Sequence, residues 1–377
     1  MKNLKTHTPT GLTDQLPAAY QLKRIVERQI EATFEGYGYA FVSSPLSKND
    51  GHPLRLCYIE KAFRNHERFR GRQDEFTQAG AKLIGVTSPE ADAELIALAI
   101  QSLLAVELDN FRVDISHVGF LSGVLEELRK ILSEKDCKNF IKHVIHRNFV
   151  DAEAIAAKVK QALPAGELLS DLPQLTGNLD VLKHAYNMTT NEKAQLTLRH
   201  LEKVYDILND QGLADYVLFD LSMAEQLDYY TGLIFKGYAK GTSSTVVDGG
   251  RYDNLLATFN EKNEKMPAIG FEIKIEGLLD AVNAQDTPFE HEFADTLVAY
   301  AENARAAALA NADILRKQGL YLINHLKAET LDSVKNYASD HKFKGIIYFA
   351  SSDEVVLINL ETKQEHEVSV EELKCMI

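Results

Sequence analysis

The chain has 377 residues, a formal net charge of −14 from 41 basic and 55 acidic side chains, and an apolar fraction of 45%. That length accommodates one large domain and a small one, each with its own core. The negative field repels phosphate backbones and anionic lipid, which excludes nucleic acid and membrane surfaces as default partners. Cys57, Cys137 and Cys375 lie far apart with no CxxC, the pattern of reduced thiols in a cytosol. No run approaches the ~20 apolar residues of a membrane span, and Met1-Lys-Asn-Leu-Lys-Thr-His-Thr has no apolar core of signal-peptide length, so a cytoplasmic protein is expected.

Leu22, Ile25, Val26, Ile30 and Phe34 form an apolar stripe at helical spacing, which predicts a helix from Pro17 to Phe34. Gly36-Tyr-Gly38 ends it before a short strand, Tyr39–Ser43. Leu54–Phe63 and Glu75–Val86 read as strands of a hairpin joined by a turn rich in Arg and Gly. Ser88-Pro89-Glu90 is a helix start, with serine as cap and proline in the first turn, for a helix over Ala91–Leu108. Phe111–Val118 returns as a strand.

The period is then helical almost continuously from Gly123 to Leu163, and a helical insert is expected over about 123–208. Its histidines, His143, His146, His184 and His200, lack metal-site spacing and read as satisfied surface side chains, so no metal is expected. Strands resume at Tyr216–Met223, Leu227–Ala239 and Ser244–Asp248, followed by a helix from Tyr252 and a strand-to-helix pass over Ala268–Val282. This order predicts an α+β fold, an antiparallel sheet flanked by helices, for residues 1–283. Ala284–Glu290 reads as a linker, and strand and helix alternate through 291–377 as a small α/β domain.

Two strings carry the chemistry. Leu227-Asp-Tyr-Tyr-Thr-Gly232 and Asp248-Gly-Gly-Arg-Tyr-Asp253 combine tyrosines with glycines where backbone can approach a ligand closely, a setting for a small aromatic zwitterion such as free histidine. Together with Gly71-Arg-Gln-Asp-Glu-Phe-Thr-Gln-Ala-Gly80, they resemble the histidine-binding core of class II histidyl-tRNA synthetases in order, wording and spacing. The resemblance covers most of residues 10–283 and is weaker beyond, where the small domain resembles the synthetase anticodon-binding domain. It implies that Arg64, in the position of the motif 2 arginine, meets a carboxylate or phosphate, which its planar fork suits. It further implies that Gln78 binds the amino group of histidine. Tyr229, Tyr230 and Tyr252 would surround the imidazole, over a floor of Gly249 and Gly250.

Departures from the synthetase pattern fall at the reacting centre. Glu225 stands where the family has an arginine that activates the amino acid, and Gly277 where motif 3 ends in the arginine that holds the γ-phosphate. Phe63-Arg64-Asn65-His66 displaces the glutamate expected to contact adenine. Between Ser47 and Pro53 the chain lacks several tens of residues that synthetases carry. Removing one donor to developing charge costs on the order of 10²–10³ in rate, so no amino-acid activation is expected. A synthetase-like core with the amino-acid wording but without the ATP arginines resembles the regulatory subunits of ATP phosphoribosyltransferase. That family implies a hetero-oligomer with a short-form catalytic subunit, self-association through the core, histidine as effector and no cofactor. No phosphate-binding glycine loop is present. Two other readings are a truncated histidine-activating enzyme or tRNA ligase, and a free-standing histidine sensor. Against tRNA stands the small domain, with nine basic and fourteen acidic residues over 291–377.

Overall fold

Helix α1 (Pro17–Gly36) starts on a proline whose ring presets the first helical φ. Its stripe of Val26, Ile30 and Phe34 is completely buried. The computed structural model describes residues 16–42, 53–63, 75–129, 131–160, 164–224, 229–255, 257, 265–285 and 295–375. After α1 come β1 (Ala40–Phe41), β2 (Leu54–Phe63) and β3 (Glu75–Ile84). The expected hairpin turn, with Arg64 and Gly71–Asp74, lies outside the described residues. Helix α2 (Pro89–Ala105) is capped by Ser88, whose hydroxyl accepts from the Ala91 N–H at 3.3 Å. Its leucines and isoleucines at 95, 96, 98, 100 and 103 are fully buried, each contributing about 1.5–3 kcal/mol of transfer free energy.

Strand β4 (Phe111–His117) leads directly into α3 (Val118–Leu128). The continuous helical reading of 123–163 is broken in the structure into α3, α4 (Glu134–Ile145) and α5 (Phe149–Ala156). Local capping explains the breaks: Ser133 and Asn148 accept backbone N–H groups at the starts of α4 and α5, competing with helix continuation. The segment continues with α6 (Pro164–Asp171), β5 (Thr176–Gly177), α7 (Asp180–Met188) and α8 (Glu192–Asp210). It then returns to the sheet as β6 (Val217–Asp220).

The expected strand from Leu227 begins only at β7 (Leu233–Ala239), so Tyr229 and Tyr230 lie in the segment before it rather than in a strand. Likewise β8 spans Val247–Arg251, three residues beyond the reading of Ser244–Asp248; Tyr252–Leu255, at the start of the expected helix, are not helical, and most of 256–264 lies outside the described residues. The Tyr252 N–H instead donates to the Ala268 carbonyl at 2.7 Å, extending the pairing toward β9 (Ala268–Lys274), and α9 (Ile275–Ala284) follows. The nine strands run in the order β1-β2-β3-β9-β8-β7-β4-β6-β5. This sheet is mixed rather than antiparallel throughout, since β1–β2 and β4–β6 pair in parallel. Parallel neighbours need a long crossover, and α3 to α8 supply it between β4 and β6.

The chain divides into two compact units, Met1–Pro288 and Phe289–Ile377. Most of the stretch read as a linker, 286–290, lies outside the described residues. The second unit carries β10 (Thr296–Tyr300), α10 (Arg305–Lys317), β11 (Leu322–Asn324), α11 (Leu331–Asp340), β12 (Gly345–Phe349), β13 (Glu354–Asn359), β14 (Gln364–Ser369) and α12 (Val370–Cys375). Its sheet has the order β11-β10-β12-β13-β14, with separate apolar clusters on its two faces around Val298 and Leu297.

Candidate functional site

Alternation along β9 assigns the two faces of the large sheet. Ile269, Phe271 and Ile273 face the helices, with Phe271 meeting Phe34 of α1 edge-on at 5.9 Å. Gly270, Glu272 and Lys274 lie on the opposite face. The register places Gly80 across from Glu272, Gly250 across from Gly270, and Tyr58 across from Gly80, all on this second face.

Three of these glycines sit under tyrosines. A Cβ at Gly250 would come within 2.7 Å of the Tyr230 ring, one at Gly270 within 2.7 Å of the Tyr252 hydroxyl, and one at Gly80 within 2.6 Å of the Tyr58 ring. Glycine inside a strand weakens the strand but lets a group approach the backbone, and here the approaching groups are aromatic rings. Tyr229 completes the cluster, with its ring edge-on to Tyr230 at 4.7 Å and 5.6 Å from that of Tyr252. Burial, reinforced by Glu272, pushes the Tyr58 phenol up to about 12. Burial also raises Tyr252, and burial with Glu272 raises Tyr229. All three therefore stay neutral near pH 7, so each hydroxyl can both donate and accept.

Gln78 lies on the same face of β3, 9% exposed, and its Nε2 is buried without a hydrogen-bond partner among the described residues. Its neighbour Thr77 faces the helices, where its N–H donates to Glu276 at 2.8 Å and its hydroxyl accepts from Lys23 at 2.5 Å. Those bonds fix the strand and so aim Gln78 at the open face. An orphaned buried amide is costly and marks a place where a polar ligand group would be stabilised.

The sequence-derived set is therefore partly assembled. Tyr229, Tyr230, Tyr252 and Gly250 come together, and Gln78 shares their face. Gly249 does not, because adjacent strand residues point oppositely: a Cβ there would meet Phe235 at 2.4 Å and Phe271 at 2.7 Å, on the helical side. Arg64, Glu225 and Asp228 lie outside the described residues. Tyr58 and Glu272 were not read from the sequence. The signal for Tyr58 is the hairpin register that sets it opposite Gly80.

Arg251 turns away from this face. It is 6% exposed, and its Nε and Nη2 donate to Asp92 Oδ1 at 2.9 and 2.5 Å, while Nη1 donates to the Val86 carbonyl at 2.8 Å. The other Asp92 oxygen lies 2.7 Å from His200 Nε2. His200 is thus no surface histidine but part of a partly buried network, whereas His143 sits 3.8 Å from Asp151. No group of three metal-ligating side chains occurs among the described residues. A cavity of about 540 Å³ opens on the helical side, lined by His117, Glu192, Lys193, Leu196, Thr197 and His200. It is not the tyrosine site.

His117 caps α3, its Nδ1 accepting from the Gly119 N–H at 3.0 Å. Burial, then the neighbouring His200, lowers its pKa from 6.5 to about 4. The folded state therefore favours neutral imidazole, and stability is fully present above pH 6.5 and declines as pH falls toward 4. Because the ring is partly exposed, the loss across that window is on the order of 2 kcal/mol. His117→Asn keeps a capping acceptor without a titrating group. Urea denaturation between pH 4 and 7 should show a shallower acid decline for this variant, and an unchanged profile would remove His117 as the cause.

The chain is similar to known proteins over nearly its whole length. Residues 47–278 match the histidyl-tRNA synthetase family model. An ATP phosphoribosyltransferase regulatory subunit of Acetivibrio thermocellus is 36% identical, with 99% of each chain covered. This chain belongs to the ATP phosphoribosyltransferase regulatory subunit family. The histidyl-tRNA synthetase architecture of that family is evident in solved structures. A regulatory subunit/histidyl-tRNA synthetase from Bacillus halodurans aligns over 93% of this chain and 100% of its own, with a TM-score of 0.77 at 24% identity. The Nostoc histidyl-tRNA synthetase aligns over 99% of this chain and 100% of its own, with a TM-score of 0.81 at 20% identity. This chain thus has the class II histidyl-tRNA synthetase-like fold. No described helix is long and apolar enough to cross a membrane.

Proposed function

We propose that this chain is the non-catalytic regulatory subunit of a cytoplasmic, short-form ATP phosphoribosyltransferase. It joins the catalytic subunit in a hetero-oligomer, self-associates through its synthetase-like core, and carries histidine feedback on the first step of histidine biosynthesis. Full-length similarity to the Acetivibrio regulatory subunit is the observation that carries this reading. The tyrosine cluster over Gly250 and Gly270, with Gln78 beside it, supports histidine as the effector. Arg64, which lies outside the described residues, is proposed to complete the pocket by meeting the carboxylate.

The absence of adenylation chemistry follows from residue types. Gly277, near the start of α9, has no charge to offer a γ-phosphate, and Glu225 reverses the charge expected at the reacting centre. Neither can supply the electrostatic stabilisation on which acyl-phosphate chemistry depends.

Adding the purified chain to a short-form catalytic subunit tests the reading. Phosphoribosyl-ATP formation should depend on the chain and fall when histidine is added. Calorimetric titration should give histidine affinities that differ with and without the catalytic subunit by roughly 5–150-fold, because allosteric coupling is reciprocal. Equal affinities would refute the coupling. The synthetase reading, favoured by the Nostoc fold match, instead requires histidine-dependent exchange of pyrophosphate into ATP by the chain alone. We expect none.

A further inference from the structure

Arg147 occupies the corner between α4 and α5 in left-handed backbone, with φ 56°. Its side chain leaves the helical segment for the end of β6. Nη2 donates to Asp220 Oδ2 at 2.8 Å, and Nη1 to Ser222 Oγ at 3.1 Å. Asp220 is 3% exposed. Its other oxygen accepts from the Ser222 N–H at 3.0 Å, the Ser222 hydroxyl at 2.5 Å and the Thr176 hydroxyl at 3.3 Å.

Contacts continue from there to the tyrosines. The Met223 N–H donates to the Asp220 carbonyl at 3.0 Å. Met223 is buried in one apolar cluster with Val118 and Ile234, against which Tyr230 packs. At its far end the tyrosine segment is tied to β8, where the Thr231 N–H donates to the Arg251 carbonyl at 2.8 Å. The end near β8 is held by the sheet, and the end near β6 by a side chain from the helices.

We propose that Arg147 is a positioning residue: its fork clamps the α4–α5 corner to Asp220 and Ser222, and so couples the helical segment to the placement of Tyr230 and its neighbours. The coupling rests on the reading of the tyrosine cluster as the histidine pocket. A guanidinium suits the task because its planar fork engages a carboxylate and a hydroxyl at once, which an ammonium on a flexible stem does not. The left-handed backbone at Arg147 closes α4, with the Asn148 N–H donating to the His143 carbonyl at 2.8 Å, and so fixes where the side chain departs. Half of the Arg147 side chain is exposed, which weakens the pair, but the Asp220 side chain is 4% exposed, so losing the cation costs stability as well as local order. The Ser222 and Thr176 donors that remain on Asp220 limit that cost.

Arg147→Ala and Arg147→Lys in the full chain test the proposal, read by hydrogen exchange at Leu221–Met223 and by calorimetric titration with histidine. The alanine variant leaves the Asp220 carboxylate with its hydroxyl and N–H donors but without its cation, so its melting temperature should fall moderately. It should exchange faster at those three amides and bind histidine about tenfold more weakly. The lysine variant should recover part of each effect. Unchanged exchange at Leu221–Met223 would overturn the clamp, and faster exchange with unchanged histidine affinity would overturn the coupling. A wild-type chain that takes up no histidine defeats the pocket reading instead. Exchange then decides on the clamp: a change confined to this segment supports it, and no change overturns it.

Discussion

Replacing Asp92 with alanine should destabilise the chain by about 3–5 kcal/mol in urea denaturation, the usual cost of leaving a buried charge without its partner. The Asp92 side chain is completely buried, and that of Arg251 is 7% exposed. Without the Asp92 carboxylate, the Arg251 guanidinium keeps, among the described residues, the Val86 carbonyl at 2.8 Å and the Asp253 carboxylate at 3.2 Å. His200 loses its partner at the same time. Asp92→Asn preserves shape and one acceptor and should fall between the wild type and Asp92→Ala. The pair Asp92→Leu with Arg251→Met should be less damaging than Asp92→Ala alone, because neither charge is then buried. A loss below about 1 kcal/mol for Asp92→Ala would show that water reaches this site, contrary to its burial. Since Tyr252 follows Arg251 directly, the proposed histidine site predicts that the same variants also bind histidine more weakly.

Gly250→Ala should disrupt the proposed histidine site with a smaller loss of stability. The added methyl would lie 2.7 Å from the Tyr230 ring and 2.8 Å from the Leu233 carbonyl oxygen. That carbonyl belongs to β7, which pairs with β8 through Ile234 and Gly250, so the tyrosine has to move. Overpacking of this kind costs about 1–3 kcal/mol. Histidine affinity should fall by at least about tenfold, equivalent to roughly 1.4 kcal/mol. In the reconstituted enzyme, activation by the chain should persist while inhibition by histidine is lost. With no tryptophan among the 377 residues, tyrosine emission is observable as the sum over fifteen tyrosines, and it should change with the displacement. Gly277→Ala is the control, because a Cβ there has no neighbour nearer than 3.9 Å. It should be neutral or stabilise α9 by up to about 1 kcal/mol. Wild-type affinity in Gly250→Ala would mean that Tyr230 does not line the ligand.

Legibility of the fold followed how local its causes are. Strand β2 follows the sequence pattern residue for residue over Leu54–Phe63, and the start of α2 is legible in Ser88 and Pro89 because capping and φ restriction act within one turn. The strand readings around the tyrosines slipped. Leu227–Ala239 is apolar and aromatic enough to read as one strand, yet β7 starts at Leu233. The reason is non-local: Thr231 is held by Arg251, and Val118 donates to the Gly232 carbonyl at 3.1 Å, so this stretch serves two elements distant in sequence. A one-residue difference in register also decides which glycine faces the tyrosines, and Gly249 and Gly250 look alike in a string of letters.

The sequence by itself determined the family and the α+β order of elements, since wording, periodicity and caps are written in neighbouring residues. Tertiary structure alone decided that Gly250 rather than Gly249 lies under a tyrosine, and that Tyr58 joins the cluster from β2. It also decided that Arg251 is consumed by Asp92 and that Arg147 reaches across to β6. Each of these depends on strand register or on ion pairs spanning 73 to 159 residues. Such pairings are chosen by burial and by the cost of unpaired charge, which exist only once the chain has folded.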